Sequence, residues 1–502
     1  MDGQPRVSAP PHRQSAPSAA RHADHARISL PGRPPRPHRS PDSPAIRGMP
    51  GERLFAGIFT TSRSSSPWGA ALQARSSTSR LCMPMPLARA VVAMLILMIL
   101  PATAGSPPSP SFTSWLETQM MESKIPGVSI AVIKDYRVEW AAGFGMSDTA
   151  RQVKVTPHTL FQAASVSKAI SAIALMIALE EHKLSVDDEV NATLAKFPPE
   201  ESVGQWRLRN GFPTKVTLRM LLSHIGGTND FRYSGYRYGY YNNPPGPIEP
   251  IPTMHQELTG LPPSNTPAIT VVREPGSTWV YSPAGYTVIQ AILMNIYGKP
   301  FSEIMADVVL KPLHLRQSTF DQPTPNALTP EIAVPYLTDG RRLPDGPRVF
   351  DTAASGGLTT TPTELAELVI AVQKALEGTP QGRITPEMAK VMMVRQPGKS
   401  LPSKCLPSSD PNKPACQSSW GLGFDVNLTK YYEHELDGQP TGAFFGHGGF
   451  NSGFLTIMFG SKTGGIGMVI MVNVAPEDMS GDVPQLGFLM NLVRRIAEEE
   501  GW

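Results

Sequence analysis

The run Ala169-Ile-Ser-Ala-Ile-Ala-Leu-Met-Ile-Ala-Leu179 contains no charged side chain. A helix that is apolar on all sides has no face to offer water, so it has to lie in the middle of a fold with other elements packed around it. That demands a large core. With 502 residues, 40% of them hydrophobic and 17% charged, the chain has the material for one. Collagen-like, coiled-coil and wholly disordered architectures are excluded.

Directly before this run stands Phe161-Gln-Ala-Ala-Ser165-Val-Ser167-Lys168. Residues three apart share a helical face, so Ser165 and Lys168 meet at the N-terminal turn of the buried helix. A serine hydroxyl is a poor nucleophile until a neighbouring base takes its proton. Desolvation beside an apolar helix favours the uncharged amine that can do so. The spacing alone recurs by chance in long chains, and the alternative is a surface Ser and Lys on an ordinary helix.

Around this centre the pattern is helical spacing over Phe112 to Ser123, a strand over Gly127 to Ile133, and a hairpin partner over Val138 to Phe144. Helical segments separated by Pro/Gly-rich loops fill Leu160 to Leu376. Gly453 to Gly460 and Gly465 to Val474 read as strands, and Gln485 to Glu500 as an amphipathic helix. Strands at both ends with helices between predict an α+β fold: an antiparallel sheet built from both chain ends, flanked by helices and carrying an inserted, mostly helical lobe.

Charge is uneven along the chain. Residues 1–82 hold 12 Arg, no Lys and 4 acidic residues, so of the chain's 45 basic and 42 acidic residues 33 and 38 remain for the rest. The net charge beyond Cys82 is therefore negative, which gives no reason to expect a nucleic-acid partner or an anionic surface. Residues 1–82 are Arg-, Pro- and Ser-rich without apolar periodicity and read as disordered, an N-terminal extension that a start at Met83 or Met85 would omit. Residues 83–104 read as a signal peptide: an uncharged run from Ala90 to Leu100, too short for a stable membrane span, followed by Ala102-Thr-Ala104 before Gly105. The expectation is a mature domain over 105–502, periplasmic or secreted. Cys405 and Cys416 bracket a Pro/Ser/Lys-rich stretch and read as a disulfide in an oxidising compartment. Two Cys without nearby His do not complete a zinc site, and nothing calls for a metal or cofactor.

The serine-lysine box keeps particular company: Ile125-Pro-Gly-Val-Ser-Ile-Ala-Val, Thr217-Leu-Arg-Met-Leu-Leu-Ser-His224, Pro275-Gly-Ser-Thr-Trp-Val-Tyr281-Ser-Pro283, Ser355-Gly-Gly-Leu-Thr, Trp420-Gly-Leu-Gly-Phe and His447-Gly448-Gly449. In this order the boxes resemble those of the serine β-lactamase and penicillin-binding-protein superfamily, specifically its class C β-lactamase-like branch with carboxypeptidases and esterases. The resemblance implies a β-lactamase/transpeptidase-like fold and an acyl-enzyme on Ser165, with Lys168 and Tyr281 as the proton-transfer pair. It also implies an oxyanion hole from the backbone N–H groups of Ser165 and Phe450. The substrate is then a small molecule or peptide: a D-amino-acid peptide, a carboxylic ester or, in third place, a β-lactam. A catalytically weak protein that only binds ligand is the alternative.

One departure from the family pattern stands out, together with a histidine form of the third box that other members of the superfamily share. Pro283 replaces an Asn and brings no side-chain amide and no N–H. His447 stands where a Lys supplies a permanent cation for a substrate carboxylate. With a reference pKa of about 6.5, a substrate-facing imidazole would offer that cation only on the acid side of neutrality. Gly448 and Gly449 are expected to let substrate approach the strand. Lys462-Thr-Gly464 spells the usual third box but falls between two strands, a coincidence. His224 and Ser355-Gly-Gly357 read as structural. The tyrosines at 233, 236, 238, 240 and 241 are either an aromatic lip over a cleft or a loop packed on itself.

Overall fold

The computed structural model describes residues 108–231, 233–400, 418–433, 442–478 and 483–502. The assignments made to residues 1–82 and 83–104, and the Cys405–Cys416 pair, lie outside these.

Helix α1 (Pro110–Glu122) starts where Ser109 Oγ accepts the Phe112 N–H at 3.1 Å, with Pro110 at the first helical position, where its missing N–H is not needed. Strands β1 (Gly127–Lys134) and β2 (Arg137–Asp148) form a hairpin whose turn residues Asp135 and Tyr136 both have positive φ, the twist a two-residue loop requires. The short β3 (Val153–Lys154) pairs with the end of β2, and this tertiary partner carries β2 beyond the Phe144 end seen in the hydrophobic pattern.

The chain leaves the sheet at β4 (Phe161–Gln162) and enters α2 (Ser167–Glu181). The lobe that follows includes α3 (Pro283–Tyr297), β5 (Thr359–Thr360), which pairs with β4, and α4 (Pro362–Leu376). The chain returns to the sheet as β6 (Asp425–Leu428), β7 (Phe444–Asn451), β8 (Phe454–Ser461) and β9 (Gly467–Val472), and α5 (Pro484–Glu499) follows. The strand order is β6-β7-β8-β9-β1-β2-β3, antiparallel throughout. Pairing of Val128 with Val472 and of Ile130 with Ile470 joins the first strand to the last. The α+β fold with a sheet from both chain ends is as expected.

Both faces of the sheet are covered. Ile130, Val132, Ile457 and Ile470 pack with Phe112 and Leu116 of α1 and Leu492 and Ile496 of α5, whereas Ala131, Ile133, Val469 and Met471 face the core containing α2, α3 and α4. Every residue of α2 from Ser167 to Leu179 is buried, as its lack of charge requires. Phe112 anchors the outer layer, its ring 6.1 Å from that of Trp140 and 6.4 Å from that of Phe144, edge to face. Phe112→Ala is expected to cost about 3–5 kcal/mol of stability. Urea unfolding checks this through a lowered midpoint with an unchanged slope.

Candidate active site

The segment entering α2 is fixed by the backbone before any side chain acts. Ala163 donates its N–H to Leu358 O at 2.8 Å, Ala164 takes a positive φ of 51°, and residues Ala164–Val166 form a 3-10 turn. The two serines of the box then separate by environment. Ser167 is fully buried, donating to Ala164 O at 2.6 Å and accepting from Leu358 N at 3.0 Å, so its hydroxyl is spent on holding the turn. Ser165 lines a cleft of about 480 Å³. Lys168, 1% exposed, brings Nζ to 3.1 Å from Ser165 Oγ and donates to Ser355 O at 2.5 Å. The Ser355 turn, read from sequence as structural, thus acts on the site directly, because its carbonyl aims the lysine.

Tyr281 lines the same cleft, its ring centroid 5.1 Å from Lys168 Nζ. Behind it stands His224, whose ring is 4.4 Å from that of Tyr281 and 5.1 Å from that of Trp420. His224 Nδ1 accepts the Ser282 N–H at 3.1 Å, which sets the backbone next to Tyr281. The structural role expected of His224 is therefore exercised directly on this segment. Burial, then the charge of Lys168, holds its imidazole well below its ordinary value. Pro283 is the first residue of α3, after the Ser282 N-cap, where a missing N–H leaves nothing unsatisfied.

Strand β7 supplies the opposite wall. A Cβ on Gly449 would stand 2.2 Å from Ala163 O, and one on Gly448 would stand 2.9 Å from Tyr432 Oη. Both glycines, expected to let substrate approach the strand, line the cleft. Both are pressed by the protein's own atoms, and Gly449 is what allows β7 to lie against the turn that carries Ser165. Phe450 follows on the same strand and lines the same cleft as Ser165, with which it was expected to form an oxyanion hole. His447 is in the cleft wall and 2% exposed, with Nδ1 2.6 Å from Gly448 O. Burial, and after it the charge of Lys168, pushes its pKa down to about 3. An imidazole held that low is neutral on the acid side of neutrality, where a substrate-facing His447 was expected to offer a carboxylate its cation.

Of the clustered tyrosines, Tyr233 lines the cleft, while Tyr236 is buried on Glu257 at 2.7 Å, Tyr240 is buried, and Tyr241 lies under the Arg342 guanidinium. Tyr238 and Tyr240 meet within the loop, but Tyr233, Tyr236, Tyr240 and Tyr241 are held by Thr287, Glu257, Thr324 and Arg342 of other segments, so the loop is packed mainly onto the rest of the fold. Trp279, inside the Pro275–Pro283 box, also lines the cleft, as do Asn451 and Asp425, which no quoted box contains. Asn451 bridges Gln162 Oε1 and Gly356 O at 3.1 and 3.2 Å, a junction of segments far apart in sequence that no local pattern displays. Lys462 is not among the lining residues; it opens the β8–β9 turn and donates to Val426 O at 2.8 Å. Among the described residues no group of three or more His, Cys, Asp or Glu could hold a metal ion, and no helix is long and apolar enough to cross a membrane.

Fold and cleft together define an α+β protein with a serine-lysine pair at the buried helix. A family model described as Beta-lactamase matches residues 112–486, and the chain belongs to that family. It is similar to "Protein flp" of Staphylococcus aureus (strain N315), 24% identical over 325 residues, a match that covers 64% of this chain and 57% of the relative's length. Among solved structures, the octameric penicillin-binding protein homologue from Pyrococcus abyssi superposes with a TM-score of 0.56 at 23% identity, covering 78% of this chain and 77% of that one. The D-amino acid amidase from Ochrobactrum anthropi SV3 superposes with a TM-score of 0.55 at 18% identity, covering 78% and 99%.

The neutral state of His447 is directly measurable. Its ring proton shifts in NMR are expected to stay flat from pH 8 to pH 5; a His447 midpoint near 6.5 contradicts the buried geometry.

Proposed function

We propose that this chain is a serine hydrolase that acylates Ser165, with Lys168 and Tyr281 moving the proton. One observation carries the reading: a buried lysine places Nζ 3.1 Å from the hydroxyl of a serine that opens onto a cleft. Ser165 Oγ bonds to the substrate carbonyl carbon as its proton passes to Lys168, which acts here in its deprotonated form although its charged form is the one that depresses the two histidines. The carbonyl π electrons move onto oxygen, facing the N–H groups of Ser165 and Phe450. Collapse of the adduct restores the C=O and expels the leaving alkoxide or amine, which takes the proton returned through Tyr281. Water then attacks the acyl group, gives a proton to the same pair and releases a carboxylic acid with Ser165 restored.

For substrate we propose a carboxylic ester or an amide. A peptide ending in a free carboxylate loses the support it had from a cationic His447, and Pro283 supplies no amide for a β-lactam side chain. The amidase above shares the fold, which is compatible with an amide and selects no substrate. Pro283 and the neutral His447 also favour a second reading, a weakly active protein that keeps the cleft for binding. Export with cleavage near Gly105 belongs to the same proposal, resting on the Ala90–Leu100 run, and N-terminal sequencing of secreted protein checks it.

Incubation with a fluorophosphonate is expected to label Ser165, located by mass spectrometry. Inertness favours the binding protein. Ser165→Ala removes one small oxygen and no packing, and is expected to abolish hydrolysis with the fold intact; wild-type turnover in that variant refutes the assignment. Gly449→Ala is expected to slow labelling about 100-fold, because β7 has to move off the Ala163 carbonyl and the wall shifts with it.

A further inference from the structure

The hydrogen bond of His447 fixes its tautomer. Nδ1 lies 2.6 Å from Gly448 O, and a carbonyl oxygen only accepts, so Nδ1 carries the imidazole proton and Nε2 is a bare lone pair. Nε2 is buried and has no hydrogen-bond partner among the described residues, although His447 forms part of the wall that Ser165 and Lys168 share. The titratable groups around it are Lys168 of α2, the His224 imidazole, the Tyr281 ring at 6.3 Å and, across from Gly446 in the neighbouring strand, Asp425. None of them gives Nε2 a proton to share. Lys168 is the only Lys or Arg among the described lining residues, whereas Asp425, Glu477 and Asp478 all line the cleft.

We infer that the substrate completes this position with an N–H or O–H group of its own, so that His447 selects a hydrogen-bond donor where a lysine would select a carboxylate. This rests on the proposed acylation of Ser165 only in placing the substrate in this cleft. A carboxylate would bring acceptor oxygens against an acceptor nitrogen and near other carboxylates. A carboxamide of the same shape supplies the missing donor. Sites built around a buried polar group reject analogues that leave it unpaired more strongly than apolar sites reject a change of size.

Three phenyl acetates test this: 3-acetoxybenzamide, methyl 3-acetoxybenzoate and 3-acetoxybenzoate, together with their para isomers. In at least one series the carboxamide is expected to exceed the methyl ester by about tenfold in kcat/KM, the effect of one net hydrogen bond. The carboxylate is expected to be slowest, with the order constant from pH 5 to pH 8. In His447→Met the carboxamide-to-methyl-ester ratio should fall to about one, and in His447→Lys the carboxylate should become the favoured substrate. A wild-type preference for the carboxylate, equal rates in both series, or a ratio unchanged in His447→Met overturns the inference. Calorimetric binding of the same compounds to Ser165→Ala reads the preference without turnover. Equal affinities there overturn the inference even if Ser165 is labelled; a retained carboxamide preference in a protein with neither turnover nor label upholds it while the acylation proposal falls.

Discussion

The contact between Lys168 and Ser165 is the constraint from which the surrounding architecture follows. An amine that is 1% exposed has lost nearly all its water and has to be given hydrogen-bond partners by the fold. They come from two directions, the Ser165 hydroxyl one helical turn back and the Ser355 carbonyl from the far end of the inserted lobe. Holding that second partner requires the lobe to return to α2, which it does through Ser167, Ser171 and the β4–β5 pair. The uncharged helix is then the base plate of the site as well as the centre of the core.

Polarity in the cleft is arranged with few charges. His224 and His447 both stay neutral through burial and through the charge of Lys168, and the rings of Tyr281 and Trp420 stand between them. Each imidazole fixes a stretch of backbone with Nδ1, His224 by accepting and His447 by donating, so the two rings are opposite tautomers. A pair of chemically identical side chains thus presents a proton at one Nε2 and a lone pair at the other.

The sequence made the hairpin, the terminal strands, the central helix and the Ser165–Lys168 meeting legible, because each is written in a short-range period of two or three to four residues. Element ends were less so: β2 continues past Phe144 because β3 pairs with it, and that partner has no local signature. The site was legible in its boxes but not in its electrostatics. Nothing around His447 in sequence tells that Lys168 and complete burial will meet there, and nothing around Gly449 tells that Ala163 O will occupy the space a side chain would need. These are facts of tertiary approach. The tyrosine cluster is the converse case, a conspicuous local pattern of which one member, Tyr233, reaches the cleft.

The pairing of β1 with β9 has a consequence for synthesis. Val128 waits for Val472, and the wall that holds His447 lies between them in the order in which the ribosome makes the chain. Until β9 has emerged, β1 presents a row of unpaired N–H and C=O groups along a strongly apolar strand, the kind of edge that invites pairing with another chain. The cleft therefore cannot be assembled progressively as its residues appear, and the half-made protein has to be kept apart from its copies for nearly the whole time of its translation.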